Sequence, residues 1–245
     1  MSVIAVCSVK GGVGKTSAAV NLAALAAREG RALLIDLDPQ GSATWALGVG
    51  DRVPGGASRI ALDQAPGAAF PTTTPGLEVV PADFSLRRLD NRLAGVRRPR
   101  RRLRRTIERL GEGYEWIIID CPPGIALSTE GVLRAADLLV VPVEPAPLPM
   151  RGLDQLSAYI EGDRRLRGTP LVAFLSKVDR RRGSHRRLAE ELPRERSDVV
   201  GLIPYAVEVE RMPERREPLV TTAPGSRGAV AYRELWDAIT DRLAT

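Results

Sequence analysis

Apolar residues along this chain follow two alternating rhythms. Short unbroken runs occur at residues 3–8 (VIAVCS), 31–36 (RALLID), 77–80 (LEVV), 116–120 (WIIID), 137–143 (DLLVVPV), 170–175 (PLVAFL) and 199–203 (VVGLI). Runs this short, rich in Val, Ile and Leu, predict strands buried on both faces. Between most of them the apolar positions recur at helical spacing. They predict helices near 15–29, 83–94, 101–111, 150–166, 184–192 and 227–243, with Gly30 closing the first as a C-cap. Strands alternating with helices predict an α/β fold: a doubly wound, mostly parallel sheet of about seven strands with helices on both faces. The segment 49–76, rich in Gly, Pro, Ala and Thr, breaks the rhythm and reads as a surface excursion with one short helix near 58–65. No internal repeat or second core is visible, so residues 1–245 read as one domain.

Composition narrows the class. Hydrophobic residues at 44% suffice for a full core, and aromatics at 4% leave it to Val, Leu, Ile and Ala, as a helix-covered parallel sheet requires. Cys7 and Cys121 both lie in apolar runs with no metal spacing between them, which predicts buried, reduced thiols and a cytoplasmic protein. No run approaches the roughly 18 apolar residues of a membrane span. The first run, Val3 to Val9, passes straight into a glycine loop instead of a cleavage site. The net charge is +6, yet only three of the 36 basic residues are lysine: Lys10, Lys15 and Lys177. Two of these flank one glycine loop, where arginine's planar fork cannot replace a compact ammonium.

That loop, Lys10-Gly11-Gly12-Val13-Gly14-Lys15-Thr16, follows the first predicted strand and opens the first predicted helix. Glycines let backbone N–H groups approach phosphate oxygens, and the helix N-terminus adds partial positive charge. In such a phosphate-binding loop Lys15 reaches the β- and γ-phosphates and the Thr16 hydroxyl binds Mg²⁺. The standard P-loop pattern places glycine where this chain has Val9, so the loop is a variant. Asp120 ends a long buried run and is placed to hold the Mg²⁺ shell through water.

The loop with its leading lysine resembles the deviant Walker A motif of the ParA/MinD family of P-loop ATPases. Asp36-Leu37-Asp38-Pro39-Gln40, the following Gly41-Ser42-Ala43-Thr44, and Ile117-Ile118-Ile119-Asp120-Cys121-Pro122-Pro123 extend the resemblance. So do LEVVPAD at 77–83, DLLVVPVEP at 137–145, GLDQL at 152–156 and GLIP at 201–204, in order along essentially the whole chain. The resemblance implies Mg²⁺-dependent ATP hydrolysis by a face-to-face homodimer that forms on ATP binding. Lys10 would then cross to the partner subunit's nucleotide. Gly11, Gly12, Val13, Gly14, Lys15, Thr16 and Ser17 would cradle the phosphates, and Asp38 would orient the attacking water. Lys10, Lys15 and Asp38 thus form the catalytic set. Asp36 has two readings, a water-mediated Mg²⁺ contact or structural support. The adenine would lie between the Ser176-Lys177-Val178-Asp179 loop and the Pro204-Tyr205 turn. The same SKVD segment is also similar to the guanine-reading N-K-x-D motif, which keeps GTP as the minority reading and makes Lys177 and Asp179 base-site candidates.

Two arginine clusters complete the picture. Arg180, Arg181, Arg182, Arg186 and Arg187 form one, and seven of the nine residues from Arg97 to Arg105 form the other. Clustered arginine on a basic chain is the footprint of phosphate-backbone binding, although an arginine-biased chain also carries it on any solvated helix. Arg181 matches a basic residue that the family uses for non-specific DNA binding, which favours the first cluster. Where the family usually carries a DNA-binding arginine after the I-P dipeptide, this chain has Glu208, with Arg211, Arg215 and Arg216 just beyond. The resemblance therefore implies a nucleoid-associated DNA-partitioning switch released by a ParB-like partner. Because the first predicted strand opens the sequence, the reading expects no N-terminal helix-turn-helix of the kind the longer plasmid versions carry. Positioning of another cargo stays open. A MinD-like membrane switch is disfavoured because Val230, Leu235, Trp236, Ile239 and Leu243 form a core-facing stripe on the last helix, with only Ala244 and Thr245 beyond it. A cluster-carrying reductase is disfavoured because Cys7 lies inside a strand.

Overall fold

Strands form at Ser2–Val6 (β1), Ala32–Asp36 (β2), Phe70–Pro71 (β3), Leu77–Val80 (β4), Trp116–Asp120 (β5), Leu138–Val143 (β6), Leu171–Val178 (β7) and Val199–Pro204 (β8). In the computed structural model, which describes residues 1–50, 53, 55–64 and 69–244, they make one sheet in the order β3-β4-β2-β5-β1-β6-β7-β8. Every pairing is parallel except β3 with β4. All seven expected strands are present. The eighth, β3, is two residues long, too short to leave a periodic signal. Its Pro71 is tolerated because β3 lies at the sheet edge.

The longer helices are Lys15–Ala26 (α1), Pro99–Leu110 (α5), Pro147–Gly162 (α7), Gly183–Glu195 (α8) and Arg227–Ala244 (α12). Shorter ones lie between them: Ser42–Ala46 (α2), Ala57–Ala61 (α3), Leu89–Ala94 (α4), Leu127–Leu133 (α6), Val207–Glu210 (α9), Met212–Arg215 (α10) and Leu219–Thr222 (α11). The helix expected near 58–65 is α3, and part of the excursion around it (51, 52, 54 and 65–68) lies outside the described residues. The helix expected over 83–94 divides into a 3₁₀ turn, Phe84–Arg88, and α4. No helix among the described residues is long and apolar enough to cross a membrane.

Alternation along the strands sends side chains to two cores. Ile4 and Val6 of β1 pack with α1, α11 and α12, while Val3 and Ala5 pack toward the opposite layer, built from α3 through α8. Helix α1 is apolar nearly all round, which suits burial between sheet and outer helices. The chain leaves β1 toward β2 on one side, and leaves β5 toward β6 on the other. This switch point opens a crevice at the C-terminal ends of β1 and β5, where doubly wound folds place ligands.

Candidate functional site

At the top of β1 the backbone leaves the sheet and re-enters as α1. Gly12 and Gly14 have φ of 77° and 91°, left-handed values that side chains resist, and a Cβ at Gly14 would lie 2.9 Å from Ser176 Oγ. The loop is strapped from within and from β7. Ser8 Oγ donates to Lys10 O (2.7 Å), Ser176 Oγ to Val13 O (2.7 Å), and Lys177 Nζ to Gly12 O (2.6 Å). Helix α1 starts without a side-chain cap and without an acid in its first turn, leaving its N-terminal N–H groups for a ligand. Lys15 is buried at 6% exposure, whereas Lys10 is exposed, its Nζ 3.6 Å from Glu144 Oε2. The other Glu144 oxygen lies 3.8 Å from Lys177 Nζ, so one carboxylate faces two of the three lysines.

Three acids meet beside the loop. Thr16 Oγ1 donates to Asp120 Oδ2 at 2.8 Å, while buried Asp120 Oδ1 has no hydrogen-bond partner among the described residues. Burial first, and then the negative charge of Asp36, hold the Asp120 carboxyl well above the usual carboxylate range. An orphaned carboxylate oxygen next to a threonine hydroxyl fits a hard divalent cation. Among the described residues no cluster of three or more His, Cys, Asp or Glu forms an all-protein cage. A cation here would complete its shell with water and phosphate oxygens, as Mg²⁺ commonly does.

Asp36 is occupied differently. Its Oδ1 accepts from the Asp38 N–H (3.1 Å), and its Oδ2 accepts from the Thr44 N–H (2.9 Å) and the Thr44 hydroxyl (2.8 Å). Thr44 Oγ1 in turn accepts from Ala82 N at 2.9 Å, so one buried network joins β2, α2 and the segment after β4. Burial pushes the Asp36 carboxyl up to about 6 against those hydrogen bonds. Asp38 lines the crevice, half-buried, its Oδ1 accepting from Gln40 N at 3.0 Å.

The crevice encloses about 750 Å³ and brings Gly11, Gly12, Gly14, Lys15, Thr16 and Ser17 together with Asp38 and Lys177. Its far wall includes Pro204 and Tyr205, as expected, and also Val209, Met212, Pro213 and Trp45, which sequence reasoning missed. Trp45 is 54% exposed, with the Arg216 guanidinium 4.2 Å over its ring and its Nε1 donating to Pro213 O at 3.1 Å. An exposed Trp just after the D-x-D-P-Q segment, in a chain so poor in aromatics, was the available signal. Asn21 anchors this wall from α1: its Nδ2 donates to Met212 Sδ (3.3 Å) and its Oδ1 accepts from Val220 N (3.0 Å).

Asp179 does not line the crevice. Arg181 holds both its carboxylate oxygens, Nε at 2.9 Å and Nη2 at 3.0 Å, so nothing in this geometry supports the guanine-reading alternative. Arg180, Arg182, Arg186 and Arg187 are exposed on the turn into α8 and along its first turns. Arg211 is exposed between α9 and α10, whereas Arg216 is engaged with Trp45. The 97–105 run is divided: Arg102 Nε donates to Leu62 O (2.7 Å), Arg100 pairs with Glu130 and Arg104 with Glu108, while others point to solvent. Cys7 and Cys121 are buried, and burial raises both thiols, Cys7 to about 12.

Known proteins resemble this chain in sequence and in fold. Residues 1–166 match the family described as an AAA domain. The chain is 35% identical over 242 residues to the sporulation initiation inhibitor protein Soj of Bacillus subtilis, covering 95% of this chain and 96% of that protein. It is also 35% identical over 250 residues to the chromosome partitioning protein ParA of Caulobacter vibrioides, covering 96% and 92%. Among solved structures it is similar to cobyrinic acid a,c-diamide synthase of Mycobacterium smegmatis with bound ATP analogue and magnesium. The TM-score there is 0.79 and the identity 26%, covering 100% of this chain and 96% of that one. The same scaffold thus serves unlike reactions, and function has to be argued from the site.

Proposed function

Because the chain belongs to the ParA/Soj family of partitioning ATPases, we propose that it is an ATP-driven switch that segregates DNA, built as one P-loop unit over residues 1–245. The observation that carries this reading is the crevice itself, where a strapped glycine loop, Lys15, the Thr16–Asp120 pair and Asp38 converge. ATP enters with its triphosphate along the loop and its base toward Pro204 and Tyr205. Lys15, buried at the loop's end, neutralises the β- and γ-phosphates. Mg²⁺ would be held by Thr16 and, through water, by Asp120, supplying charge neutralisation to the same oxygens. Asp36 keeps Asp38 in place through its bond to the Asp38 N–H. Asp38 accepts a hydrogen bond from water and aims it at the γ-phosphorus. Positioning and electrostatics account for such catalysis, because phosphoryl transfer asks little covalent chemistry of the protein.

Lys10 lies exposed at the crevice mouth and reaches a second copy's nucleotide in a face-to-face homodimer. That dimer places two copies of the Arg180–Arg187 surface, with Arg211 beside it, on one stretch of non-specific DNA. A ParB-like partner stimulates hydrolysis and release, and the protein works in the cytoplasm on the nucleoid. The test is light scattering with a slowly hydrolysed analogue, together with turnover of ATP itself. Wild type should dimerise, Lys15→Ala should lose nucleotide binding, and Asp38→Ala should bind and dimerise without turnover. A wild-type monomer at saturating analogue would remove the switch reading. A dimer that ignores DNA would redirect it to another cargo.

A further inference from the structure

A second concavity, of about 870 Å³, lies between α5 and the C-terminal ends of α6 and α7. Its cations come from three separate stretches: the start and body of α5, Arg134 after α6, and Arg165 after α7. A compositional run alone does not bring those together; the fold does. The neighbouring acids are already engaged: Glu130 by Arg100, Glu108 by Arg104 (2.8 Å) and Asp163 by Arg134 (2.9 Å). Arg98, Arg101, Arg105 and Arg165 line the same groove with no side-chain ion pair among the described residues.

The start of α5 adds three unfavourable choices at one place. Its first turn reads Pro99-Arg100-Arg101-Arg102 with no acid, although the helix N-terminus is already the positive end. No side chain caps it. The residue before it, Arg98, has φ 56° and ψ 57°, left-handed backbone that a non-glycine residue adopts at a cost. An anion seated in the groove relieves the first two, and it gives the Arg98 conformation a reason by aiming its side chain there.

Guanidinium forks match phosphate oxygens in pairs. Among the described residues no aromatic side chain lines the groove to stack a base. Its size is that of a small-molecule site, and a duplex, with its phosphates on a convex surface, engages few groups inside a concavity. We infer that this groove binds a compact polyphosphate, several linked phosphate groups either free or carried on a nucleotide, at a position separate from the phosphate loop. The inference does not rest on the DNA reading.

The test is calorimetric titration of the full chain with inorganic tripolyphosphate, in saturating Mg-ADP so that the phosphate loop is filled. One saturable site is expected, weakened about tenfold or more by Arg101→Glu with Arg105→Glu, and weakened also by Arg165→Ala from a different element. The double variant should fold. Both positions are exposed; an acid at 101 suits the first turn of α5, while the change at 105, in the body of the helix, exchanges one like-charged i,i+4 pair for another, so the ligand-free melting temperature should stay equal or rise by about 1–4 °C. Adenosine tetraphosphate binding more tightly than tripolyphosphate at the same arginines would identify a nucleotide-borne source; equal binding would identify the free polyanion. Absence of a saturable site, or titration unchanged in both variants, overturns the inference. So does loss of duplex binding in the double variant without any tripolyphosphate site, which would make the groove a nucleic-acid contact.

Discussion

At Asp36 a carboxylate is buried beside two other acids, yet each of its oxygens already accepts a hydrogen bond from its own chain. The expected consequence is mechanical. Asp36→Asn turns an amide NH₂ toward the Thr44 N–H and leaves a buried donor unsatisfied, so stability should fall by about 1–3 kcal/mol. Urea unfolding measures this. An unchanged unfolding midpoint together with weakened Mg²⁺ binding would instead return Asp36 to the cation. Of the two readings the sequence allowed, neither was decidable there, because beyond the nearby Asp38 N–H the network runs through Thr44 on α2 to Ala82 on another segment. The phosphate loop was legible because its chemistry is local: glycines, lysine and threonine act within seven consecutive residues. Asp179 was not legible in the same way: Arg181, two residues on, takes both its carboxylate oxygens, and neither the motif nor the apolar spacing carries a mark of that pairing.

Elements long enough to show a period were legible, and those set by tertiary packing were not. Helices α1, α5, α7, α8 and α12 and all strands but β3 follow from the apolar spacing. The four- and five-residue helices α2, α9 and α10, which build the far wall of the crevice, carry too few apolar positions to register. Their packing supplies a measurement. Trp45 on α2 is clamped to α10 through Pro213 and stacked under Arg216, and it borders the crevice. The other two tryptophans, Trp116 and Trp236, meet edge to face at 4.9 Å away from it. Nucleotide binding is therefore expected to shift intrinsic fluorescence through Trp45 alone. Trp45→Phe should abolish the shift while calorimetry still reports binding. A shift that persists in this variant would place the moving element elsewhere.

At the scale of the whole molecule, the excess of positive charge is spread over more than one surface, and DNA affinity should separate them. In the ATP-bound dimer, Arg181→Ala with Arg182→Ala should weaken binding about equally on any duplex. The dependence of log K on log salt should flatten by about 0.9 for each phosphate no longer neutralised. Filter binding across a salt series reads both. Unchanged slopes in that variant would assign the DNA surface to other arginines. A different property follows from the two bonds that tie β7 to the phosphate loop, Ser176 to Val13 and Lys177 to Gly12. In the sheet, β6 stands between β1 and β7, so these bonds reach over an entire strand. On the proposed reading they would join the segment assigned to the base to the segment assigned to the phosphates, as one jointly ordered receptor of two half-sites. Whichever half of a nucleotide arrives first meets part of the ordering cost for the other. The free energies of its fragments then do not sum to that of the whole, and selectivity for the base is felt at the phosphates.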